Sequence, residues 1–390
     1  MEWNLKKKWL VMKEYFLFRK DKSVISALVV LLLFEIFLQG GFYKNFLKKN
    51  SYASNVNRIT DHALGKQSEI DPDILIVGTS LAYEGLSIQT LNEKLKPLNL
   101  KAQTIAIPGA ELIVQGLALE KVLNKFKRVK YIIHVNEIEM PWTLGIVFSQ
   151  ATLSMASELD RKRAIERLYQ DEYKIGFEEL TYIILRLWAY RKDIGEFILN
   201  PEKRIKDIGK SKKAFKENLY TYENNYIESL SLYKFQDVKD CLKITKDNTN
   251  IPPGSNPFHR EAIFKTCKLA EESVLSLEEN ESTKLYHRRL GNFYKLLKER
   301  NIKVINVFPP ISDYLGSFQY GARVLFWKEK YKDVLGEKII DLTTAIPKEE
   351  NESYFYDIVH VNKKGMTVFT EKLSESLLLY FKERQENNAF

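Results

Sequence analysis

Cysteine and histidine are both scarce in this chain of 390 residues. The sequence has only two cysteines, Cys241 and Cys267, and five histidines. No C-x-x-C or similar spacing of metal ligands is present, so we expect neither a metal nor another cofactor. The two cysteines either pair, closing a loop of about 25 residues worth on the order of 3 kcal/mol, or remain two buried thiols.

Positive charge is sparse outside the amino-terminal tail, although the net charge of the chain is +9. Residues 1–22 carry seven lysines and arginines against three acids, so the rest of the chain holds only +5. Such a small excess does not favour a polyanion-binding surface, and we expect no nucleic-acid partner. Internal repeats and low-complexity tracts are also missing, while 45% hydrophobic residues suffice for a sizeable core.

Only one long apolar run occurs, residues 23–38, and it extends to Tyr43. About 20 such residues span a bilayer as a helix. Within the run, Glu35 costs roughly 2.5–3.5 kcal/mol near the hydrocarbon core, which the surrounding Leu, Val, Ile and Phe side chains can outweigh. A cleaved signal peptide and a buried helix are the alternatives, but no small-residue cleavage site follows the run.

These features predict a single-pass protein of the plasma (inner) membrane. Residues 1–22 form a basic cytoplasmic tail, residues 23–43 a transmembrane signal anchor, and residues 44–70 a polar, irregular stalk. Positive charge before the apolar run places the amino terminus in the cytoplasm and everything after residue 43 outside it.

Five short apolar runs predict the strands of an α/β domain. They are residues 74–77, 102–107, 131–135, 303–308 and 338–342. The first run, ILIV, has no polar break, as is typical of a strand buried in a parallel sheet, and helical patterns separate it from the next two. We predict a doubly wound, flavodoxin-like, mostly parallel five-stranded sheet built from residues 71–149 and 286–390.

Residues 150–285 have helical periodicity and predict a large helical insertion between the strands. Part of this insertion is rich in lysine and tyrosine, namely Lys210, Lys212, Lys213, Lys216, Tyr220, Tyr222 and Tyr226. The patch could meet an anionic glycan or lipid headgroups, although a solvated helix face is the more ordinary role of such residues.

A serine, a histidine and an aspartate stand where nucleophilic catalysis would need them. Ser80 directly follows the first strand, and ligands of open α/β sheets bind beyond the carboxyl ends of the strands. Asp357 lies three residues before His360, in a turn between the last strand and the last helix, where a carboxylate can hold the imidazole tautomer. By itself a D-x-x-H is more often a surface or capping pair. His134, within the third strand, is predicted to be a core or rim residue and not a second base.

The order of these parts resembles the SGNH hydrolase family, also called GDSL-like esterases. In that family a serine follows the first strand, a glycine the second and an asparagine the third, while a D-x-x-H lies near the carboxyl terminus. The corresponding segments of this chain are Gly78-Thr79-Ser80, Pro108-Gly109, Val135-Asn136-Glu137 and Asp357-Ile358-Val359-His360. The resemblance covers roughly residues 71–142 and 286–384 and leaves the insertion uncovered.

The resemblance implies a role for each matched residue. Ser80 would be the nucleophile, His360 the general base and Asp357 its orienting acid. The backbone N–H groups of Ser80 and Gly109 and the side-chain amide of Asn136 would form the oxyanion hole. All of these residues follow predicted strands or lie in the turn before the last helix, so they can converge at one edge of the sheet.

Two of these motifs depart from the family pattern. Thr79 replaces the acid of the usual G-D-S, and the usual G-x-N-D reads His134-Val135-Asn136-Glu137, without the glycine and with a longer acid. Such loosening is similar to a membrane-anchored branch that acts in cell envelopes, which includes alginate O-acetyltransferases and proteins of teichoic-acid D-alanylation.

The resemblance therefore implies an extracytoplasmic serine O-acyltransferase or esterase that acts on O-acyl groups of an envelope glycan or other acylated polymer. Water and a sugar hydroxyl can both resolve an acyl-serine, so the residues leave esterase and transferase open, and a lipase remains a third option. The alternative is a non-catalytic SGNH-like scaffold that binds an envelope polymer or a membrane-bound acyltransferase.

Overall fold

The computed structural model describes residues 22–48, 51–65, 69, 71–136, 149–217, 224–247, 252–272, 279, 281–312, 320–336 and 338–387. All five predicted site residues lie within these ranges. Glu137 lies outside them, as do Tyr220, Tyr222 and the side chains of Lys212, Lys213 and Lys216 in the predicted basic patch. Of that patch, the described side chain of Lys210 is exposed, and that of Tyr226 is 38% exposed.

The core of the fold is a five-stranded sheet in the order β2-β1-β3-β4-β5. Its strands are β1 (Ile74–Val77), β2 (Ala102–Thr104), β3 (Tyr131–Val135), β4 (Lys303–Phe308) and β5 (Lys338–Asp341). Each strand pairs with its neighbours in parallel. The structure thus confirms the predicted α/β class and the five strands, and the sheet is all parallel.

Both faces of the sheet are buried, which explains the unbroken apolar run of β1. Leu75 and Val77 join one hydrophobic cluster, whereas Ile74 and Ile76 join the other. Successive side chains of a strand point to opposite faces, so a strand covered on both sides must be apolar throughout.

Helices cover the two faces. In chain order, those that precede or separate the first three strands are α1 (Lys22–Gln39), α2 (Tyr52–Gly65), α3 (Ser80–Gly85), α4 (Ile88–Leu95) and α5 (Leu112–Leu123). The helices between β3 and β4 are α6 (Ser149–Leu159), α7 (Arg161–Gln170), α8 (Phe177–Ile184), α9 (Arg186–Ala189), α10 (Arg191–Leu199), α11 (Pro201–Glu217), α12 (Val238–Lys246), α13 (Pro257–Glu272) and α14 (Glu281–Glu299). The remaining helices are α15 (Tyr320–Lys330), α16 (Lys332–Leu335) and α17 (Lys363–Asn387).

A disulfide between Cys241 and Cys267 joins α12 to α13. Both residues are fully buried in the same cluster as Leu75 and Val77. The sequence left open a disulfide or two buried thiols, and the structure contains the disulfide.

Helix α1 is long and apolar enough to cross a membrane. Its 18 residues rise about 27 Å at 1.5 Å each, close to the roughly 30 Å of a hydrocarbon core. Most of its large side chains are exposed, and only Leu38 is buried. Only its carboxyl end, around Leu38, packs on other described residues, among them Leu187 and Ile194.

The predicted irregular stalk is wrong for residues 52–65, which form α2 and pack into the domain. Val56, Ile59 and Ala63 are buried in this helix. Their spacing of three and four residues is the period of an amphipathic helix. The polar residues around them hid that pattern, yet Asn55, Asn57 and Thr60 are buried as well.

Candidate active site at the carboxyl ends of the strands

Ser80 lies at the first turn of α3, directly after β1. Gly78 permits this turn because a Cβ at that position would come within 3.0 Å of the carbonyl oxygen of Val135 on the neighbouring strand. Thr79 is the amino-terminal cap of α3, and its hydroxyl accepts the backbone N–H of Leu81 at 3.3 Å. Threonine is a good helix cap, so the replacement of the acid in the family pattern preserves the local turn.

The loop that carries Asp357 and His360 is held by short-range hydrogen bonds. The Asp357 carboxylate accepts the backbone N–H groups of Val359 at 2.8 Å and His360 at 2.7 Å. Phe355 and Val361 form an antiparallel bridge that closes the loop. The carboxylate is only 3% exposed, so its orientation is fixed by the backbone around it.

The three residues form one hydrogen-bonded chain. The two atoms His360 Nδ1 and Asp357 Oδ2 are 2.9 Å apart, and His360 Nε2 lies 2.8 Å from the hydroxyl oxygen of Ser80. A carboxylate can only accept, so Nδ1 carries the proton and Nε2 is left to accept the hydroxyl proton of Ser80. The order nucleophile, base and orienting acid is the arrangement that activates a serine.

The helical insertion supports this loop from behind. The side-chain amide of Asn224 donates to the carbonyl oxygens of Val361 at 2.8 Å and Glu84 at 3.1 Å. His259 Nε2 donates to the carbonyl oxygen of Tyr356 at 2.5 Å. Burial lowers the pKa of His259, so its ring is neutral at ordinary pH and serves as a donor to the backbone. Sequence reasoning missed both residues, because nothing in their local pattern marks a long-range bond to backbone.

The two remaining predicted site residues also lie beyond strand ends. Asn136 follows β3 and is 1% exposed, and its amide nitrogen is 2.6 Å from Asn306 Oδ1 and 3.5 Å from the carbonyl oxygen of His134. Gly109 has a positive φ of 72°, and the ring of Tyr52 lies so close that a Cβ would come within 2.3 Å of it. Their assignment to an oxyanion hole stays a prediction.

A fully buried polar network lies behind Asn136. His134 Nδ1 is 2.6 Å from the hydroxyl of Tyr294, which donates to Asn306 Oδ1 at 2.5 Å. Burial lowers the pKa of His134 to about 3, so this ring is neutral and packed in the core, as predicted. Asn306 was missed, although a polar residue inside the apolar run of β4 was a usable signal.

A shallow pocket opens beside the serine. Ser80, Glu84, His360, Pro309 and Phe369 are among its lining residues. Burial raises the pKa of Glu84, and the carboxylate of Asp357 adds to this effect while His360 opposes it. The pocket thus places a carboxyl group that retains its proton more readily than usual near the reactive hydroxyl.

The rim near the triad includes two stacked tyrosines, Tyr226 and Tyr356, with ring centroids 4.2 Å apart. Within the described ranges, no group of three or more His, Cys, Asp or Glu side chains could hold a metal ion.

Comparison with models of known protein families gives no match, and neither does comparison with curated proteins.

Proposed function

We propose that this chain is a membrane-anchored enzyme that moves or removes acyl groups through an acyl-serine intermediate. The observation that carries the proposal is the hydrogen-bonded chain from Ser80 through His360 to Asp357, assembled from residues 280 positions apart in sequence. A serine at a strand end, an imidazole oriented by a buried carboxylate and a pocket beside them seldom occur together by chance.

In the first step, the Ser80 oxygen attacks the carbonyl carbon of an O-acyl ester while its proton passes to His360 Nε2. The bond to the leaving alcohol breaks, and the imidazolium returns the proton to that alcohol. In the second step, water or a sugar hydroxyl gives its proton to the same nitrogen and attacks the acyl carbon. The bond from that carbon to the Ser80 oxygen breaks, and the imidazolium returns the proton to Ser80. Asp357 stabilises the imidazolium in both steps without taking the proton itself.

The fold supports an assignment to the SGNH hydrolases. The strand order β2-β1-β3-β4-β5 is the doubly wound, flavodoxin-like order, in which ligands bind at the carboxyl ends of the strands. Ser80, Gly109 and Asn136 follow β1, β2 and β3, and the D-x-x-H precedes the last helix, which is the order of parts in that family.

An extracytoplasmic location fits the rest of the chain. Helix α1 would be the single-pass anchor, with the positive tail in the cytoplasm. The disulfide between Cys241 and Cys267 is of a kind that persists in oxidising compartments and is rare in the cytosol. The substrate in reach would then be an acylated glycan of the envelope, and acyl transfer follows from the likeness to the envelope branch of the family.

One observation favours a second candidate, a non-catalytic scaffold for an envelope polymer or a membrane-bound acyltransferase. The amide nitrogen of Asn136 is engaged by Asn306 and the carbonyl of His134, so it would have to turn before it could stabilise an oxyanion. Loss of one such donor costs about 10²–10³ in rate.

Labelling with a fluorophosphonate probe separates these two candidates. The full chain, purified in detergent, should be labelled, and both Ser80→Ala and His360→Ala should abolish the labelling. Ser376→Ala, which removes a half-buried hydroxyl on α17 that donates to the carbonyl oxygen of Lys372, is the control and should leave labelling unchanged. An unlabelled wild-type protein would support the scaffold, and labelling that persists in Ser80→Ala would move the nucleophile elsewhere.

A further inference from the structure

Glu35, the one carboxylate in the apolar part of α1, is bound by the helical insertion. Its two carboxylate oxygens accept the backbone N–H groups of Arg186 at 2.8 Å and Leu187 at 2.7 Å. These N–H groups belong to the first turn of α9, where an intrahelical partner is absent. One turn further along α1, the amide of Gln39 donates to the carbonyl oxygen of Ile184 at 2.9 Å.

These bonds fix the depth of the insertion relative to α1. Glu35 lies four residues, or about 6 Å, before the end of the helix at Gln39. A backbone segment that bonds to both residues therefore lies beside the last turn of α1. If α1 spans a bilayer, this segment is level with the interface between hydrocarbon and headgroups.

The side chains of that segment suit such a position. Ile184, Leu185 and Trp188 are 48%, 41% and 43% exposed, although each is large and apolar. The guanidinium of Arg191 lies 4.5 Å from the ring centroid of Trp188. Tryptophan is enriched at membrane interfaces, and arginine there extends its charge toward the headgroups.

We propose that Ile184, Leu185 and Trp188 form a second membrane contact, the interfacial patch, which inserts among lipids beside α1 and seats the domain on the bilayer. The proposal rests on the membrane span assigned to α1 under the proposed function. Lipid is the expected contact because the patch lies beside α1, whose exposed apolar surface also needs hydrocarbon around it.

The patch also accounts for a carboxylate in a membrane helix. Backbone N–H groups in a bilayer need a partner within the protein, and a carboxylate in hydrocarbon needs donors. The contact between Glu35 and the start of α9 satisfies both needs at once. It holds the insertion at one height and one rotation about α1, and so sets the distance from the bilayer to the edge of the sheet that bears Ser80.

The test measures the lipid exposure of single positions in the full chain, reconstituted one copy per nanodisc. Leu185→Cys is labelled with an environment-sensitive fluorophore under non-reducing conditions, so that the native disulfide stays closed. Two controls carry the same label. Leu31→Cys lies within α1, and Leu379→Cys is an exposed leucine on α17. Melting temperatures close to that of the wild type show that each variant is folded.

With lipids brominated on the acyl chains, the labels at Leu185 and Leu31 should lose most of their emission, while that at Leu379 keeps it. Aqueous iodide should quench the label at Leu379 strongly and the labels at Leu185 and Leu31 weakly. A Leu185 label that behaves like Leu379, with Leu31 still quenched by lipid, would overturn the patch and leave the membrane span intact. Shielding of Leu185 from both quenchers would assign the surface to a protein contact and also overturn the proposal.

Failure of the membrane span would give a different result. In that case the Leu31 label itself would escape the brominated lipid, and the patch would fall with it. Fluorophosphonate labelling of Ser80 is measured on the same samples and reports on the chemistry independently of either outcome.

Discussion

Two buried carboxylates, Asp357 and Glu158, organise two regions of this molecule in similar ways and with different consequences. Asp357 holds His360, which reaches Ser80 at a pocket. Glu158 accepts hydrogen bonds from Tyr43, Tyr190 and Asn57 and pairs with Arg186 at 2.8 Å. Glu158 collects partners from distant parts of the chain, whereas the partners of Asp357 lie in its own loop and it reaches Ser80 only through His360.

The partner decides what each carboxylate can do. The guanidinium of Arg186 cannot lose its proton in a protein, so its pair with Glu158 joins α9 to α6 through a permanent cation. Tyr43, and Asn57 of α2, bind the same carboxylate. The imidazole of His360 can take up a proton or release it, so its pair with Asp357 can take part in proton transfer. The pair of Glu158 and Arg186 is therefore structural, whereas the pair of Asp357 and His360 is suited to proton transfer.

The largest expected effect is on the chemistry of the first region. Asp357→Asn should lower the rate of fluorophosphonate labelling by about 10⁴, because the amide no longer favours the tautomer that lets Nε2 accept the Ser80 proton. The melting temperature should change little, since the Asn oxygen can still accept the N–H groups of Val359 and His360. A labelling rate near that of the wild type would remove Asp357 from the mechanism.

The second effect tests the region around Glu158. Arg186→Ala should lower the free energy of unfolding by about 3–5 kcal/mol, because it leaves a buried carboxylate without its cation. Arg163→Ala removes a half-exposed cation from Glu120 and should cost no more than about 1 kcal/mol. Chemical denaturation of the detergent-purified full chain measures both, and equal losses would show that burial of the Glu158 pair has no special weight.

The third effect concerns the cross-link within the insertion. Replacing Cys241 and Cys267 together by serine should lower the free energy of unfolding by about 3 kcal/mol, because the unfolded chain regains the freedom of the closed loop. Reduction of the wild-type disulfide by dithiothreitol should give a similar shift in the denaturation midpoint and none in the double variant. An unchanged midpoint on reduction would contradict the prediction.

The smallest effect separates the two regions by pH. His360 must be neutral to accept the Ser80 proton, so labelling should fall as the pH is lowered and the base becomes protonated. Burial raises the pKa of Glu158, but Arg186 and the hydrogen bonds outweigh it and lower the pKa overall. Its contribution to stability is therefore present above the ordinary glutamate value of about 4.3 and is lost only as pH falls further.

Above a pH of about 4.3, labelling should fall with decreasing pH while the free energy of unfolding loses nothing from the Glu158 pair. Labelling rates and denaturation midpoints measured on the same buffers check this. A labelling rate that stays flat from pH 8 to 5 would argue against His360 as the base, and a midpoint that falls in step with the labelling rate would argue against the separation.

The sheet was predictable because each of its strands is an apolar run that can be seen in a few consecutive residues. The runs of β1, β3 and β4 match the structure at both ends, since a strand buried on two faces must be apolar throughout. Helix α2 was missed because its apolar stripe is thin and because polar residues beside that stripe are buried as well. Asn57, for example, donates to Glu158 at 2.8 Å, a partner 101 residues away.

The candidate site was predictable for a different reason. Ser80 follows the first strand, and Asp357 and His360 precede the last helix. Parallel strands bring such boundaries to one edge of the sheet. The structure places the three within hydrogen-bonding distance, while their catalytic roles stay predictions. Asn224 and His259 could not be found in this way, because they bind backbone carbonyls whose positions depend on the finished fold.

The bond between Ser80 and His360 closes a span of 280 residues, and this has a consequence for the timing of synthesis. A chain is made from its amino terminus, so Ser80 emerges long before the segment that contains its base. Contacts of such high sequence separation form late, after the loop-closure entropy of the intervening chain has been overcome. If α1 is the proposed anchor, Ser80 would cross the membrane before the segment with His360 is made, and its hydroxyl would gain its base only once that segment has followed.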